Sequence, residues 1–331
     1  MRAPEFWRKD GAVARLLAPL GALYGLSVAL KARYARPFDP GIPVICVGNL
    51  TAGGSGKTPV AITIADLLRA RGHRPYFLTR GYGGTTRGPA LASRGHSAAV
   101  MGDEALLLAR AAPTIVARDR AAGARLAKEK GATVLVMDDG HQNFSLRKNL
   151  SLVVVDAETG FGNGFQIPAG PLREPVAQGL SRADAVVLVG SERSKDGRAA
   201  KRAQEGSTLN LGDFSGVVLR ARLLADGSAF AGQQVFAFAG IGRPEKFIAS
   251  LEELGAVIIG RCFFADHHPY TDDEILELKA LAGDAMPVTT EKDFVRLSTA
   301  SREGIRMLKV AAAFDDGGVI ARLLDSAVPR P

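Results

Sequence analysis

The segment Val44-Ile-Cys-Val-Gly-Asn-Leu-Thr-Ala-Gly-Gly-Ser-Gly-Lys-Thr58 constrains this chain more than any other. A run of buried-strand type leads into a glycine-rich loop, and Gly56-Lys57-Thr58 opens a stretch with helical periodicity. That is the order of a P-loop, in place as well as in letters. Of the pattern G-x-x-x-x-G-K-[S/T], Gly56, Lys57 and Thr58 match; Thr51 stands at the first glycine, with Gly53 and Gly54 to compensate. Glycines let backbone N–H groups converge on phosphate oxygens, and the helix N-terminus adds positive potential. On this reading Thr51, Ala52, Gly53, Gly54, Ser55, Gly56, Lys57 and Thr58 cradle a nucleotide. Lys57 bridges the β- and γ-phosphates and Thr58 ligates Mg²⁺. An empty strand–helix turn is the bland alternative, and the combination of strand, GSGKT and helix counts against it.

After Pro37 apolar runs alternate with helical stretches. Strands are expected at 42–47, 75–79, 114–117, 134–137, 152–155 and 185–189, with helices at 58–71, after Gly102 and at 121–130. Such alternation predicts an α/β fold of P-loop NTPase type, a mostly parallel sheet with helices on both faces. Around Gly206 the texture changes. Runs at 217–224 and 235–239 read as a link into a smaller α/β second lobe. That lobe is expected to carry helices near 243–254, 271–281 and 318–326 and short strands near 257–259, 287–288 and 307–310. The expected division is therefore a membrane-associated helical segment at 1–36, a nucleotide-binding domain at 37–205 and a second lobe at 206–331 that closes over the cleft. A chain of 331 residues has room for two such lobes.

The formal charge of +8 raises the question of a nucleic-acid partner, which its distribution answers. Residues 1–36 hold seven basic residues against Glu5 and Asp10, and so carry +5 of the total. Within them residues 16–30 are uncharged, short of the roughly 20 apolar residues a spanning helix needs. Val13, Leu16, Leu17, Leu20, Leu23, Tyr24 and Leu30 fall on one side at helical spacing, with Trp7, Tyr24 and Tyr34 placed for headgroup depth. This predicts an N-terminal amphipathic helix lying on an anionic membrane surface. A core helix and a signal peptide compete with it. The latter conflicts with a nucleotide site that begins shortly afterwards and with the lack of a small-x-small cleavage site. Aromatics make up only 6% and are not interleaved with basic residues outside this segment, so no nucleic-acid partner is expected. Cys46 and Cys262 stand far apart, without zinc spacing, and fit a reducing compartment.

Thr133-Val-Leu-Val-Met-Asp138-Asp139 supplies acids at a strand end. Asp138 is placed as the metal ligand and Asp139 to direct a water or a neighbouring group, although such acids also cap helices and turns. Asp103 in Gly102-Asp103-Glu104 is either a helix cap or a general base. His267 in Asp266-His267-His268-Pro269 can share a proton with a carboxylate, if the fold brings one to it. Arg80 and Arg173 lie in glycine- and proline-rich loops where α/β ligand sites form, and are otherwise surface arginines.

Taken in order, these blocks resemble the tetraacyldisaccharide 4′-kinase family, the lipid A 4′-kinases, over nearly the whole length. The likeness rests on the basic apolar N-terminus and the P-loop, on Leu78-Thr-Arg-Gly-Tyr-Gly-Gly84, Gly102-Asp-Glu-Ala105 and Asp138-Asp-Gly140, and on Pro168-Ala-Gly-Pro-Leu-Arg-Glu-Pro175, Phe264-Ala-Asp-His267 and Thr290-Glu-Lys-Asp293. The resemblance implies transfer of the γ-phosphate of ATP, with Mg²⁺, to the 4′-hydroxyl of a tetraacylated glucosamine disaccharide 1-phosphate in lipid A biosynthesis. It implies a peripheral or monotopic place at the cytoplasmic face of an inner membrane, a lipid-linked disaccharide substrate and no obligate protein partner. It also implies an Asp103–His267 base pair, with Lys57, Thr58, Asp138, Asp139 and Arg173 around the phosphates. One block departs: the family's Asp-Asp-Gly-x-Gln-His reads here Asp138-Asp-Gly-His141-Gln142-Asn143. The rival is a P-loop GTPase or ATPase switch at a membrane surface. Guanine selection asks for [N/T]-K-x-D, and in Thr290-Glu-Lys292-Asp-Phe294 the acid is out of place.

Overall fold

A computed structural model of the chain describes residues 4–93, 95–190, 211–227 and 229–330. The expected boundary between residues 205 and 206 lies outside the described residues. In chain order the elements are α1 (Ala12–Tyr34), β1 (Val44–Gly48), α2 (Lys57–Ala70), β2 (Pro75–Thr79), β3 (Ala90–Ala92), α3 (Ala98–Met101), α4 (Asp103–Ala111), β4 (Thr114–Val116) and α5 (Arg120–Glu129). There follow β5 (Val134–Asp138), β6 (Leu150–Asp156), α6 (Val176–Leu180), β7 (Ala185–Gly190), β8 (Val217–Ala225), β9 (Gln234–Ala239), α7 (Pro244–Glu253) and β10 (Val257–Phe263). The last are α8 (Asp272–Ala282), β11 (Met286–Thr290), α9 (Glu291–Phe294), β12 (Arg306–Leu308), β13 (Val310–Phe314) and α10 (Gly317–Ala327).

Among the described residues the larger sheet has nine strands in the order β13-β8-β7-β6-β1-β5-β2-β4-β3. Only the outermost pairs, β13 with β8 and β3 with β4, are antiparallel. Side chains alternate across each strand. Ile45 and Val47 of β1 join Val60, Ile64 and Leu68 of α2 and Ile320 and Leu324 of α10 on one face. Val44 shares the other with Leu135, Met137 and the α5 alanines Ala124 and Ala127. Covered on both faces, the inner strands are continuous apolar runs. The smaller sheet, β10-β9-β11-β12, is wholly parallel. Phe247 and Leu251 of α7 cover one of its faces, Ile275 and Leu278 of α8 the other.

Strand β8 and the segment beginning at Val310 pair into the larger sheet, whereas the alternation of apolar runs grouped them with the second lobe. Helix α10 follows them onto the larger sheet's core. The small lobe is thus an excursion between β8 and β13. An apolar run announces a strand but not the neighbour that will pair with it, which is why chain order misassigned these elements.

Helix α1 runs 23 residues, longer than its uncharged stretch. It buries Ala14, Gly21, Gly25 and Val28. A Cβ at Gly21 would stand 2.8 Å from the Gln166 carbonyl oxygen, and one at Gly25 3.2 Å from the Gln166 amide nitrogen. The bulky residues point away: Leu16 is 80% exposed and Leu23 64%, with Val13, Leu20, Tyr24, Leu26, Leu30 and Tyr34 also exposed. That pattern excludes a core helix, whose leucines would turn inward.

Candidate active site

The parallel strands end on one side of the larger sheet, where open α/β folds bind ligands. Strand β1 enters the glycine-rich loop there, and Gly56 turns it into α2 at φ +82°, a left-handed conformation suited to glycine. The Asn49 amide donates to Thr51 O at 2.7 Å and to Ser55 Oγ at 3.1 Å, which shapes the loop from within. The proline-rich segment lies alongside. Ala52 N donates to Pro171 O at 2.7 Å and Arg173 N to Leu50 O at 2.8 Å. These bonds bring Arg173 to the P-loop.

Asp138 and Asp139 end β5 beside this loop and differ in their partners. Nη1 of Arg173 donates to both oxygens of Asp139, at 2.8 and 2.9 Å, and Lys57 Nζ stands 3.5 Å from Oδ1. Burial pushes the Asp139 carboxyl up, but Lys57 and Arg173 outweigh it and hold it at about 2. Among the described residues no such cation contacts Asp138. Thr58 Oγ1 donates to its Oδ2 at 3.5 Å, and Oδ1 is buried without a hydrogen-bond partner among the described residues. Burial, with Glu104 adding to it, pushes Asp138 up to about 7. An unpartnered buried carboxylate oxygen next to a threonine hydroxyl fits a divalent cation, so Thr58 and Asp138 are the residues that would hold Mg²⁺.

Asp103 is the first residue of α4, and its Oδ1 accepts the Glu104 N–H at 2.8 Å. Its Oδ2 meets the other lobe. His267 Nδ1 lies 2.9 Å away, so the imidazole donates from Nδ1 and keeps Nε2 free of that bond. Arg296 donates to the same oxygen from Nε at 3.0 Å and Nη2 at 2.6 Å, and Lys292 Nζ stands 3.9 Å off. Lys292 Nζ is also 3.5 Å from His267 Nε2. Burial raises the Asp103 carboxyl, but the His267 hydrogen bond and the charges of Lys292 and Arg296 hold it well below the usual carboxylate range.

Other sequence candidates fall outside this arrangement. Arg80 is exposed at the end of β2, close to the buried Arg120, whose guanidinium burial, reinforced by Arg80, lowers to about 10. His268 bonds Glu274 at 3.0 Å and stacks on Phe264, a structural role. His141 is fully buried, donates from Nε2 to Gly179 O at 2.9 Å and packs beneath Gly48. Asn143, at the family's histidine position, accepts from Ser145 in an exposed turn. Between them Gln142 donates to Asn49 O at 2.9 Å and to the buried Glu174 at 2.8 Å, and so ties the P-loop to the proline-rich segment. Sequence reasoning missed Lys292, Arg296 and this link. The available signal was two basic residues four positions apart, Lys292 within α9 and Arg296 just past its end.

The family model for tetraacyldisaccharide-1-P 4′-kinase matches residues 13–328. The tetraacyldisaccharide 4′-kinase of Paramagnetospirillum magneticum is 51% identical over 330 residues, 98% of each chain. That of Rhodospirillum rubrum is 49% identical over 336 residues, 99% of this chain and 98% of the other. A solved structure of LpxK from Aquifex aeolicus, described as an "apo" form in complex with ATP, superposes with a TM-score of 0.76 at 25% identity. It covers 95% of this chain and 99% of its own. With a match that begins in α1 and ends just past α10, and relatives alike over almost their full length, the chain belongs to the tetraacyldisaccharide-1-phosphate 4′-kinase family.

Proposed function

We propose that the protein is an ATP-dependent tetraacyldisaccharide 4′-kinase, which transfers the γ-phosphate of ATP to the 4′-hydroxyl of tetraacyldisaccharide 1-phosphate in lipid A biosynthesis. The observation that supports this reading is the hydrogen bond between His267 Nδ1 and Asp103 Oδ2, 2.9 Å across the two lobes, an arrangement suited to take a proton from an alcohol, with the neighbouring Glu104 close enough to Asp138 to raise it. A phosphate cradle alone would serve a switch as well; a base pair beside it serves an acceptor hydroxyl.

The P-loop amides and Lys57 bind the β- and γ-phosphates, and Arg173 adds positive charge where the transferring group lies. Asp139 orients both cations through its contacts with Lys57 and Arg173. Thr58 and Asp138 would hold Mg²⁺, which would supply neutralising charge to the transferring group. The sugar oxygen forms its bond to the γ-phosphorus as the bond from that phosphorus to the β–γ bridging oxygen breaks. The hydroxyl proton passes to the Asp103–His267 pair and ADP leaves. The small lobe closes over the cleft and excludes water.

The exposed leucines of α1, with Lys31 and Arg33 in its last turn, support a peripheral or monotopic place on an anionic membrane at the cytoplasmic face, where ATP is available. Seating of Gly21 and Gly25 on Gln166 supports a helix lying along the protein rather than running away from it.

The test is transfer of labelled γ-phosphate from Mg²⁺-ATP to tetraacyldisaccharide 1-phosphate in mixed micelles, with Lys57→Ala as the control. A doubly phosphorylated lipid made by the wild type alone is expected. Hydrolysis independent of lipid, without lipid product, would replace the kinase reading with a switch-type ATPase.

A further inference from the structure

Arg296 follows α9 with its side chain 4% exposed, and no step above uses it. Nε and Nη2 donate to Asp103 Oδ2, while Nη1 donates to Gly240 O and to Asp293 Oδ1, both at 2.8 Å. Four of the five guanidinium N–H groups therefore have acceptors. Asp293 is itself fully buried and held from several sides. It receives Gly240 N–H at 2.9 Å, the Tyr270 hydroxyl at 3.0 Å and the Thr290 hydroxyl at 2.6 Å. Arg296 is thus a fixed part of the small lobe, with one edge turned to an aspartate of the large one.

A buried ion pair is weak evidence for stability, because apolar residues of the same volume often hold a fold as well. What this pair provides is position. The χ2 torsion of an aspartate is broad and roughly two-fold, so a carboxylate left to itself rotates. Here Oδ1 is held by Glu104 N–H and Oδ2 by two parallel donors, which leaves Oδ2 in one place for His267 Nδ1. Lys292 cannot substitute: it is a point charge 3.9 Å from the same oxygen, with no second donor fixed in a plane.

We propose that Arg296 is the positioning residue of the acceptor base: its two donors converge on Oδ2 and, with Glu104 N–H on Oδ1, fix the Asp103 carboxylate in the orientation that receives His267. The contact spans 193 residues of chain and joins the two lobes, so the base has its working geometry only where they meet. This inference rests on the kinase reading, in which the Asp103–His267 pair takes the proton from the sugar.

The experiment is the micelle transfer assay on Arg296→Met, with saturating Mg²⁺-ATP and lipid. kcat is expected to fall by roughly 10- to 100-fold, with KM for ATP within about twofold of wild type. Arg296→Lys, which keeps charge and a donor, should recover part of the loss. In the Asp103→Ala background Arg296→Met should cost nothing further, since a residue that acts through Asp103 has nothing left to position. Wild-type kcat in Arg296→Met, or losses that multiply in the double variant, would overturn the proposal. Should Arg296→Met lack a cooperative thermal transition, Arg296→Gln decides, and wild-type kcat there overturns it equally. Absence of lipid product from the wild type would sink the kinase reading and this proposal with it, whereas the outcomes above, read with an active wild type, overturn the proposal alone.

Discussion

Asp139 at φ +52° and His267 at φ +62° are the residues other than glycine with left-handed backbone among those described. Each such position costs about 1–3 kcal/mol and persists only where surrounding contacts hold it. Arg173 and Lys57 hold Asp139; Asp103 and the Gly240 carbonyl hold His267. Both belong to the site, which accords with strain stored where geometry matters. Asp103 accepts the Glu104 N–H with one oxygen and meets His267 with the other; the N-cap of α4 is Gly102, so the capping reading gives way to a first-turn residue turned towards the other lobe. Asp103→Ala should therefore lower kcat by roughly 10²–10⁴ at saturating ATP, and near-normal turnover would leave it a helix residue alone. His141 leads to a stability prediction. Burial pushes its imidazole down to about 4 from 6.5, so it folds neutral. Its contribution is fully present above pH 6.5 and is lost as pH falls from 6.5 towards 4, on the order of 3 kcal/mol in all. Thermal unfolding of wild type and His141→Gln between pH 7.5 and 5 checks this: the wild type should lose stability more steeply.

Helix α1 shows how one element serves two surroundings. Its glycine face approaches Gln166 closely, and its leucine face is left exposed among the described residues. Gly21→Val places a side chain against the Gln166 backbone and should destabilise this docking by about 1–3 kcal/mol, read as a lower Tm. Leu20→Ser with Leu23→Ser changes only exposed positions and should leave stability within about 0.5 kcal/mol per site, while recovery on anionic vesicles falls. Deleting residues 1–36 should reduce membrane recovery further, and unchanged binding would move the lipid contact elsewhere. The outward face was legible because helical periodicity alone sets which residues share a side. The partner of the glycines was not, because nothing local in the sequence marks Gln166 as the residue they approach.

In the whole molecule two lobes share one site. Asp156, at the end of β6, pairs with Arg243 at 3.0 Å and Lys246 at 3.3 Å from the start of α7, a second set of contacts across the lobes besides those at Asp103. A nucleotide bound only by the folded protein should stabilise it by about 2.7 kcal/mol at a hundredfold excess over Kd. Thermal unfolding with Mg²⁺ and a non-hydrolysable ATP analogue should show this rise in the wild type, and a smaller one in Lys57→Ala at the same concentration.

The sequence by itself determined the phosphate cradle, the paired acids at the end of β5, the α/β class and the outward face of α1. Each is a local pattern: a glycine loop between strand and helix, an acid after an apolar run, a period of two or of 3.6. The family resemblance had also implied the Asp103–His267 pair; tertiary structure alone decided that β8 and β13 complete the larger sheet, that Arg173 bonds both oxygens of Asp139, and that Arg296 joins His267 on one oxygen of Asp103 from 193 residues away. Those contacts form because buried faces pack against one another, and a face records in sequence only that it will be covered, not which element will cover it.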